Sequence, residues 1–317
     1  QQANPYYFPA SHTFVLESTG DDIVDFFEFD TALVVGRHKD LWVIYGEGIY
    51  SDTNAYRLSK VDAHTGFACT DCGALINNYY TYLGYDGVFY RLNTPTTYTE
   101  YLMTRPLNTD IDITKAPLNI VTKDIHSLSP IVYNNEVWFA FDGDTPKVIV
   151  YSFDNMCFTY YEGMNATYLY SNDVDVYIGR KDGIISKYDK TCYSDLGQGY
   201  QCRFVTKRFD FDSPANFKYF KQVKLTVSVR DDAYCSIYLR AIIDSYEREF
   251  NGAVEPNFTF GSATWGQVFS NVDVYHSQWQ QLSNRGRNIQ FEFYNNSVNQ
   301  PMCVYEISIP YTIRDIR

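Results

Sequence analysis

Short apolar runs joined by Gly and Asp turns recur through the first two-thirds of the chain. They read Ala32-Leu33-Val34-Val35-Gly36 then Leu41-Trp42-Val43-Ile44-Tyr45, and Tyr80-Thr81-Tyr82-Leu83-Gly84 then Gly87-Val88-Phe89-Tyr90. The pattern returns at Val137 to Phe141 with Val148 to Tyr151, and at Val174 to Gly179 with Gly183 to Tyr188. Runs of this length, rich in β-branched and aromatic residues, predict strands, and almost nothing in the chain has a helical period. A lone hairpin of this size cannot bury its apolar face, so repetition predicts blades stacked about an axis, a β-propeller. The units centre near Gly36, Gly84, Gly143 and Gly179, with unequal loops between them. Turns are predicted at Asp86-Gly87, Asp142-Gly143 and Asp182-Gly183, where Gly accepts positive φ and Asp bonds the nearby backbone.

The pattern changes at Ser194 to Tyr200. Beyond it, alternating segments at Arg203 to Phe211, Phe220 to Arg230, Ser236 to Ile243, Asn288 to Tyr294 and Cys303 to Ile309 predict a β-sandwich or jelly roll. In the longest of these, Val223, Leu225, Val227 and Val229 share one face. The opening Asn4-Pro5-Tyr6-Tyr7-Phe8-Pro9 is held extended by its prolines and reads as an arm. The expected organisation is therefore all-β: an extended arm over 1–20, propeller blades over 21–198 and a sandwich over 199–317. A chain of 317 residues exceeds one ordinary core of roughly 250 to 300 residues, which fits two domains.

Charge sharpens the division. Residues 1–202 hold 13 Lys and Arg against 26 Asp and Glu, whereas residues 203–317 hold 13 against 12. An acidic propeller disfavours tight binding to a phosphate backbone, which needs cations to displace counterions. Against that background Lys207-Arg208 and the set Lys218, Lys221 and Lys224 stand out as candidate subunit contacts. On a regular strand Lys218 and Lys224 share a face and Lys221 takes the other.

Seven cysteines at irregular spacing argue against a disulfide framework and read mostly as buried thiols of a reducing compartment. Cys69-Thr70-Asp71-Cys72 has the spacing of half a zinc knuckle, but no second pair matches it, so no metal is expected. Nothing approaches a membrane span of ~20 apolar residues, and no membrane partner is expected. The chain begins with Gln1 and reads as a processed or truncated piece of a longer protein.

Catalytic patterns are sparse. There is no His-x-x-x-His pair, no Gly-x-Ser-x-Gly elbow and no Gly-rich phosphate loop, and no cofactor or catalytic residue is assigned. Asp21-Asp22, Asp142/Asp144, Asp173/Asp175 and Asp231-Asp232 could pair for glycoside hydrolysis or hold calcium, but they sit in predicted turns that favour Asp for backbone reasons. The Ser-x-Asp-x-Gly-x-x-Trp turns of sialidase propellers are missing. Trp42 and Trp138, at equivalent places in their hairpins, read as core. Asn165, Asn257 and Asn295 begin glycosylation-type triplets that mean little without a secretory leader.

The extended Pro-Tyr-Phe arm followed by blades resembles tail hub and nozzle proteins of tailed phages, including the DNA-stabilising tail protein of short-tailed phages. The resemblance rests on Leu33-Val34-Val35-Gly36 to Tyr45-Gly46, on Tyr56 to Lys60 with Thr65 to Cys69, and on Tyr82 to Phe89. At the other end it rests on Lys207-Arg208-Phe209-Asp210-Phe211, Phe220 to Val223, Arg285 to Phe291 and Tyr305 to Ile307. It implies roughly six blades, of which four are visible. It also implies a virion protein that is not an enzyme. Such a chain is assembled in the host cytoplasm into the tail, forms a ring with copies of itself beneath the portal or adaptor, meets other tail proteins, and lies beside double-stranded DNA without specific binding. The alternative is a carbohydrate-binding or carbohydrate-active propeller, for example a receptor-recognising virion or surface protein using Trp42, Trp138 or Trp265 with nearby carboxylates.

Overall fold

The computed structural model describes residues 15–16, 20–29, 32–46, 57–93, 104–106, 112–115, 118–141, 147–192, 194–228, 235–254, 274–276, 280–296 and 303–314. The described chain is nearly all β, a β-propeller followed in sequence by a β-sandwich. It divides into two compact units, Gln1–Tyr188 and Asp189–Arg317, so the break falls shortly before the Ser194 to Tyr200 segment. The predicted arm, apart from residues 15–16 and 20, and the Asp142-Gly143 turn lie outside the described residues.

Among the described residues the first unit holds four antiparallel meanders, each with its strands in chain order. The first blade is β1 (Ile23–Phe29), β2 (Ala32–Arg37), β3 (Leu41–Tyr45) and β4 (Arg57–Lys60). The second is β5 (Gly73–Ile76), β6 (Tyr79–Leu83), β7 (Phe89–Asn93) and β8 (Thr104–Pro106). The third is β9 (Leu128–Tyr133), β10 (Glu136–Phe141), β11 (Lys147–Ser152) and β12 (Cys157–Glu162). The fourth has three described strands, β13 (Ala166–Ser171), β14 (Val176–Arg180) and β15 (Ile185–Lys187). All four predicted hairpins are present, and each forms part of a wider sheet. Trp42 falls on the third strand of its blade and Trp138 on the second, so their places are not equivalent.

The sheets stack face upon face, because every blade alternates two apolar faces that each need a partner. Val34 and Val43 of the first blade, Tyr80, Tyr82 and Phe89 of the second, and Val137, Phe139 and Ile149 of the third share one core. Aromatic rings form its seams. Phe27 stacks on Tyr80 at 3.5 Å between centroids, and Phe89 lies 4.8 Å from Phe139. The opposite face of the third blade, Ile131, Trp138, Val148 and Val150, packs on Leu169, Val176 and Ile178 of the fourth. Across that junction Ser129 Oγ accepts from the Leu169 amide at 2.8 Å.

Two blades open with the same turn. Asn77-Asn78 joins β5 to β6 and Asn134-Asn135 joins β9 to β10, all four residues having positive φ. Two successive left-handed residues are what a type I′ hairpin requires, and Asn tolerates that conformation. Asn77 Nδ2 donates to Asn135 Oδ1, and Asn135 Nδ2 to Asp154 Oδ1, which ties the tips of adjacent blades.

In the second unit one sheet has the order β16 (Cys202–Val205), β22 (Ile289–Asn295), β18 (Cys235–Ile243), β19 (Tyr246–Val254). The other is built on β17 (Phe217–Ser228), which pairs with β20 (Val274–His276), β21 (Gln280–Gly286), β23 (Cys303–Ser308) and β24 (Tyr311–Arg314). Phe220, Val223, Leu225 and Val227 of β17 share a core with Leu239 and Ala241 of β18 and with Phe291 and Phe293 of β22.

Candidate functional site

Lys218 is a correction to the set of candidate subunit contacts. It is 0% exposed, and its ammonium donates to the carbonyls of Ser213 at 2.6 Å, Arg287 at 2.9 Å and Asn216 at 3.2 Å. Three acceptors satisfy the three N–H bonds of a buried ammonium, so the side chain pins loops together within the unit and faces no partner. The strand also shifts register between Phe220 and Gln222, and the alternation changes phase there. Lys218 and Phe220 therefore point inward, as do Val223 and Leu225, while Lys224 is partly buried on the other side of the phase change and does not share a face with Lys218. Lys207, Arg208 and Lys221 are exposed. Lys207 Nζ lies 5.8 Å from the centre of the Phe209 ring.

Several carboxylates of the propeller unit serve as backbone and ion-pair acceptors. Asp86 accepts from Tyr90 Oη at 2.6 Å and from the Val88 amide at 3.2 Å, and Asp182 from the Ile184 amide at 3.2 Å, beside glycines with φ of +86° and +82°. Asp21 caps the Lys39 amide at 2.9 Å. Asp175 pairs with Lys187 at 2.9 Å, and Asp173 has a left-handed φ of 70° in the same turn. Asp142, Asp144, Asp231 and Asp232 lie outside the described residues.

The most heavily committed carboxylate is one the sequence did not single out. Asp40 accepts two bonds from Arg37, Nε at 2.7 Å and Nη2 at 2.6 Å, one from Trp42 Nε1 at 3.1 Å, and lies 3.2 Å from Lys60 Nζ. The forked bond from Arg37 is the main cause that holds this carboxyl below its ordinary value of 3.8, with Lys60 and Trp42 adding to it against burial. Arg37 and Asp40 bound the turn between β2 and β3, where no helical or strand period marks them; only their spacing of three could have hinted at the pair.

Both described tryptophans are buried and donate to a carboxylate two residues upstream, Trp42 to Asp40 and Trp138 to Glu136 at 3.0 Å. Trp138 stacks on Tyr161 with centroids 5.8 Å apart. Neither offers a free ring to a sugar, and Trp265 lies outside the described residues. Cys69 and Cys72 are buried, and burial pushes the Cys69 thiol up to about 12 and the Cys72 thiol well above its usual value. His64 is exposed, and among the described residues no three His, Cys, Asp or Glu side chains gather as metal ligands. Cys157, Cys192 and Cys202 are exposed free thiols, so the expectation of mostly buried cysteines holds for only two of these five.

What sequence reading missed is an open aromatic face on the fourth blade. Leu169 and Ile178, paired across β13 and β14, point into the core shared with the third blade. Alternation sends Tyr168 and Tyr170 of β13, Tyr177 and Gly179 of β14, and Ile185 and Lys187 of β15 to the opposite side. Tyr168 is 64% exposed, Tyr170 56% and Ile185 77%. Tyr170 and Tyr177 stand 6.3 Å apart. The alternation of Tyr168 to Ser171 was a readable but short strand signal, cut off by the register shift between Ala166 and Tyr168 and preceded by the polar triplet Asn165-Ala166-Thr167. A flat surface of tyrosines over a rigid sheet suits protein association or stacking against a sugar ring.

A propeller unit followed by a sandwich unit is the class that this fold defines. No family model matches the chain, and no curated protein matches it. Among solved structures it is similar to an exo-β-1,3-galactanase from Phanerochaete chrysosporium with galactose: 9% identity, a TM-score of 0.29, and coverage of 92% of this chain and 83% of that one. A variant of that enzyme with β-1,3-galactotriose gives a TM-score of 0.30 at the same identity and coverage. An engineered GH43 glycoside hydrolase with endo-xylanase and exo-arabinofuranosidase activity gives 0.27 at 8% identity, over 92% of this chain and 85% of that one. None of the three is a phage tail protein. They correct the expectation of a chain that is not an enzyme, since these neighbours are glycoside hydrolases. At these TM-scores the likeness transfers neither an activity nor a residue.

Proposed function

We propose that the chain is an assembling component of a phage tail, in which copies join through their propeller units into a ring at the portal or adaptor and continue the path of the genome. The observation that carries this reading is the open face of the fourth blade. Each blade inside the stack hides such a face against a neighbour, while Tyr168, Tyr170 and Ile185 stand exposed at its end. Contiguous exposed apolar surface on a well-packed sheet marks an interaction site. The acid excess of residues 1–202 supports a wall beside DNA, because like charge within a screening length of about 8 Å opposes adsorption. Light scattering and negative-stain electron microscopy of the purified protein test it. Rings are the expected result, and a monodisperse monomer at all concentrations excludes it.

A second reading, a carbohydrate-binding or carbohydrate-active propeller, is favoured by the pairing of that tyrosine face with a carboxylate: Tyr177 Oη lies 3.5 Å from Asp175 Oδ2. An aromatic platform edged by a carboxylate can stack a pyranose and bond its hydroxyls. Binding on a glycan array that Tyr168→Ala and Tyr170→Ala abolish selects this reading over the first.

A further inference from the structure

Among the described residues three sheet-on-sheet junctions of the propeller unit obey one rule: the apolar face of each blade lies on the apolar face of the next in chain order. The face at the far end of the stack is the tyrosine face of the fourth blade. The face at the near end belongs to the first blade. In that blade the rows Phe27–Val34–Val43 and Phe29–Ala32–Tyr45 turn toward the second blade, so the alternate rows Phe26–Val35–Trp42 and Glu28–Leu33–Ile44 turn away from it. Val35 and Trp42, though buried, belong to neither propeller core. Phe26 is 65% exposed, and Leu33 and Ile23 are exposed beside it. Thus the fourth blade exposes its outer aromatic face, and the first blade exposes the β1 side of its outer face with Leu33 while Val35 and Trp42 are already covered; on both the exposed aromatics lie on the first strand of the sheet.

We propose that the tyrosine face of the fourth blade of one copy packs on the outer face of the first blade of a second copy, so that blade stacking continues from chain to chain. This inference rests on the assembly reading and specifies its joint. The two surfaces are different, so the contact is head-to-tail, and a head-to-tail contact closes into a ring when its rotation permits. Tyr168 and Tyr170 on β13 meet the strand bearing Phe26 and Glu28, where ring meets ring and tyrosine hydroxyls reach a carboxylate that a fully apolar face would lack. A second copy is the occupant because the joint repeats an interface the chain already makes with itself three times. A sugar would use one end and leave the other unexplained.

The test uses the full chain in three forms: wild type, Tyr168→Glu/Tyr170→Glu, and Phe26→Glu, with Ile185→Glu as a second variant of the fourth-blade face. All substituted side chains are exposed, and circular dichroism with thermal melting confirms that each form folds. Sedimentation velocity is expected to show wild-type oligomers and an apparent association weakened at least about thirtyfold in every variant, the size of a hot-spot loss. Mixing Tyr168→Glu/Tyr170→Glu with Phe26→Glu should give a pair and stop there, since only one intact joint remains between them. Variants that assemble as wild type does, or a Phe26→Glu form that assembles alone, overturn the joint and leave the assembly reading standing. A wild-type chain that stays monomeric removes both.

Discussion

Asp40 shows how much one side chain in a turn can hold. Its carboxylate takes a forked bond from Arg37 and further contacts from Lys60 and Trp42, and both it and Arg37 are buried. Asp40→Asn keeps the shape and removes the charge, leaving a buried guanidinium facing a neutral amide. The expected cost is roughly 3 kcal/mol, as for other buried pairs that lose one partner. Because the folded carboxyl titrates below its ordinary value of 3.8, the unfolded chain binds this proton first as pH falls. The stabilisation is therefore complete above the ordinary carboxylate range and is lost as pH drops through the lower, folded value. Urea midpoints of wild type and Asp40→Asn should differ most near neutral pH, begin to approach each other near the ordinary value of 3.8 and converge below the lower, folded value. A gap that persists unchanged in acid would mean that the charge is not what stabilises the turn.

At the scale of elements, the paired middle strands were legible and their flanks were not. The paired runs Val137 to Phe141 and Val148 to Tyr151 are apolar because they are covered on both faces, and continuous apolar runs are easy to see. The outer strand β12, Cys157–Glu162, is mostly exposed, and β4 and β5 are only four residues long, so no period of two stands out. The Asn-Asn turns went unread because Asn is a weaker turn signal than Gly, although it does the same work at positive φ. The phase change at Lys221 was invisible for another reason: it arises from pairing with β21, which lies some sixty residues away along the chain.

Gly66 is an element-scale device too. Its amide donates to the His38 carbonyl at 3.0 Å, its own carbonyl accepts from the Tyr85 amide at 3.1 Å, and a Cβ there would sit 1.8 Å from the Arg37 carbonyl oxygen. The segment between blades one and two passes so close to the β2–β3 turn that no side chain fits, and the obstacle is backbone, which cannot rotate aside. Gly66→Ala should cost about 3 kcal/mol or more, read as a fall in the thermal midpoint, whereas Gly20→Ala meets no atom within 4 Å and strains only its own backbone. Equal effects at the two sites would refute the close-approach argument.

For the molecule as a whole, the division into two units was legible from charge as well as pattern: the acid excess ends near residue 202. The second unit has its own core, from Phe220 to Phe293, and Lys218 closes its loops from within. A fragment of residues 189–317 should therefore fold alone, with a cooperative melt and dispersed amide resonances; a fragment that stays unfolded would show that the core is incomplete without the propeller. The role of the chain was the least legible feature. Lys218 looked like a contact because basic residues stood out against acid surroundings, but burial is decided by pairing and loop position, which composition does not carry. The tyrosine face was overlooked for the converse reason, since tyrosines alternating with leucine read equally well as core.

The exposed end of the blade stack has one more consequence. A sheet whose last surface matches its internal ones needs no new packing solution to be extended, so gene duplication at that end could lengthen the chain one sheet at a time. Selection could then settle the number of repeats per polypeptide separately from the number of polypeptides per closed structure.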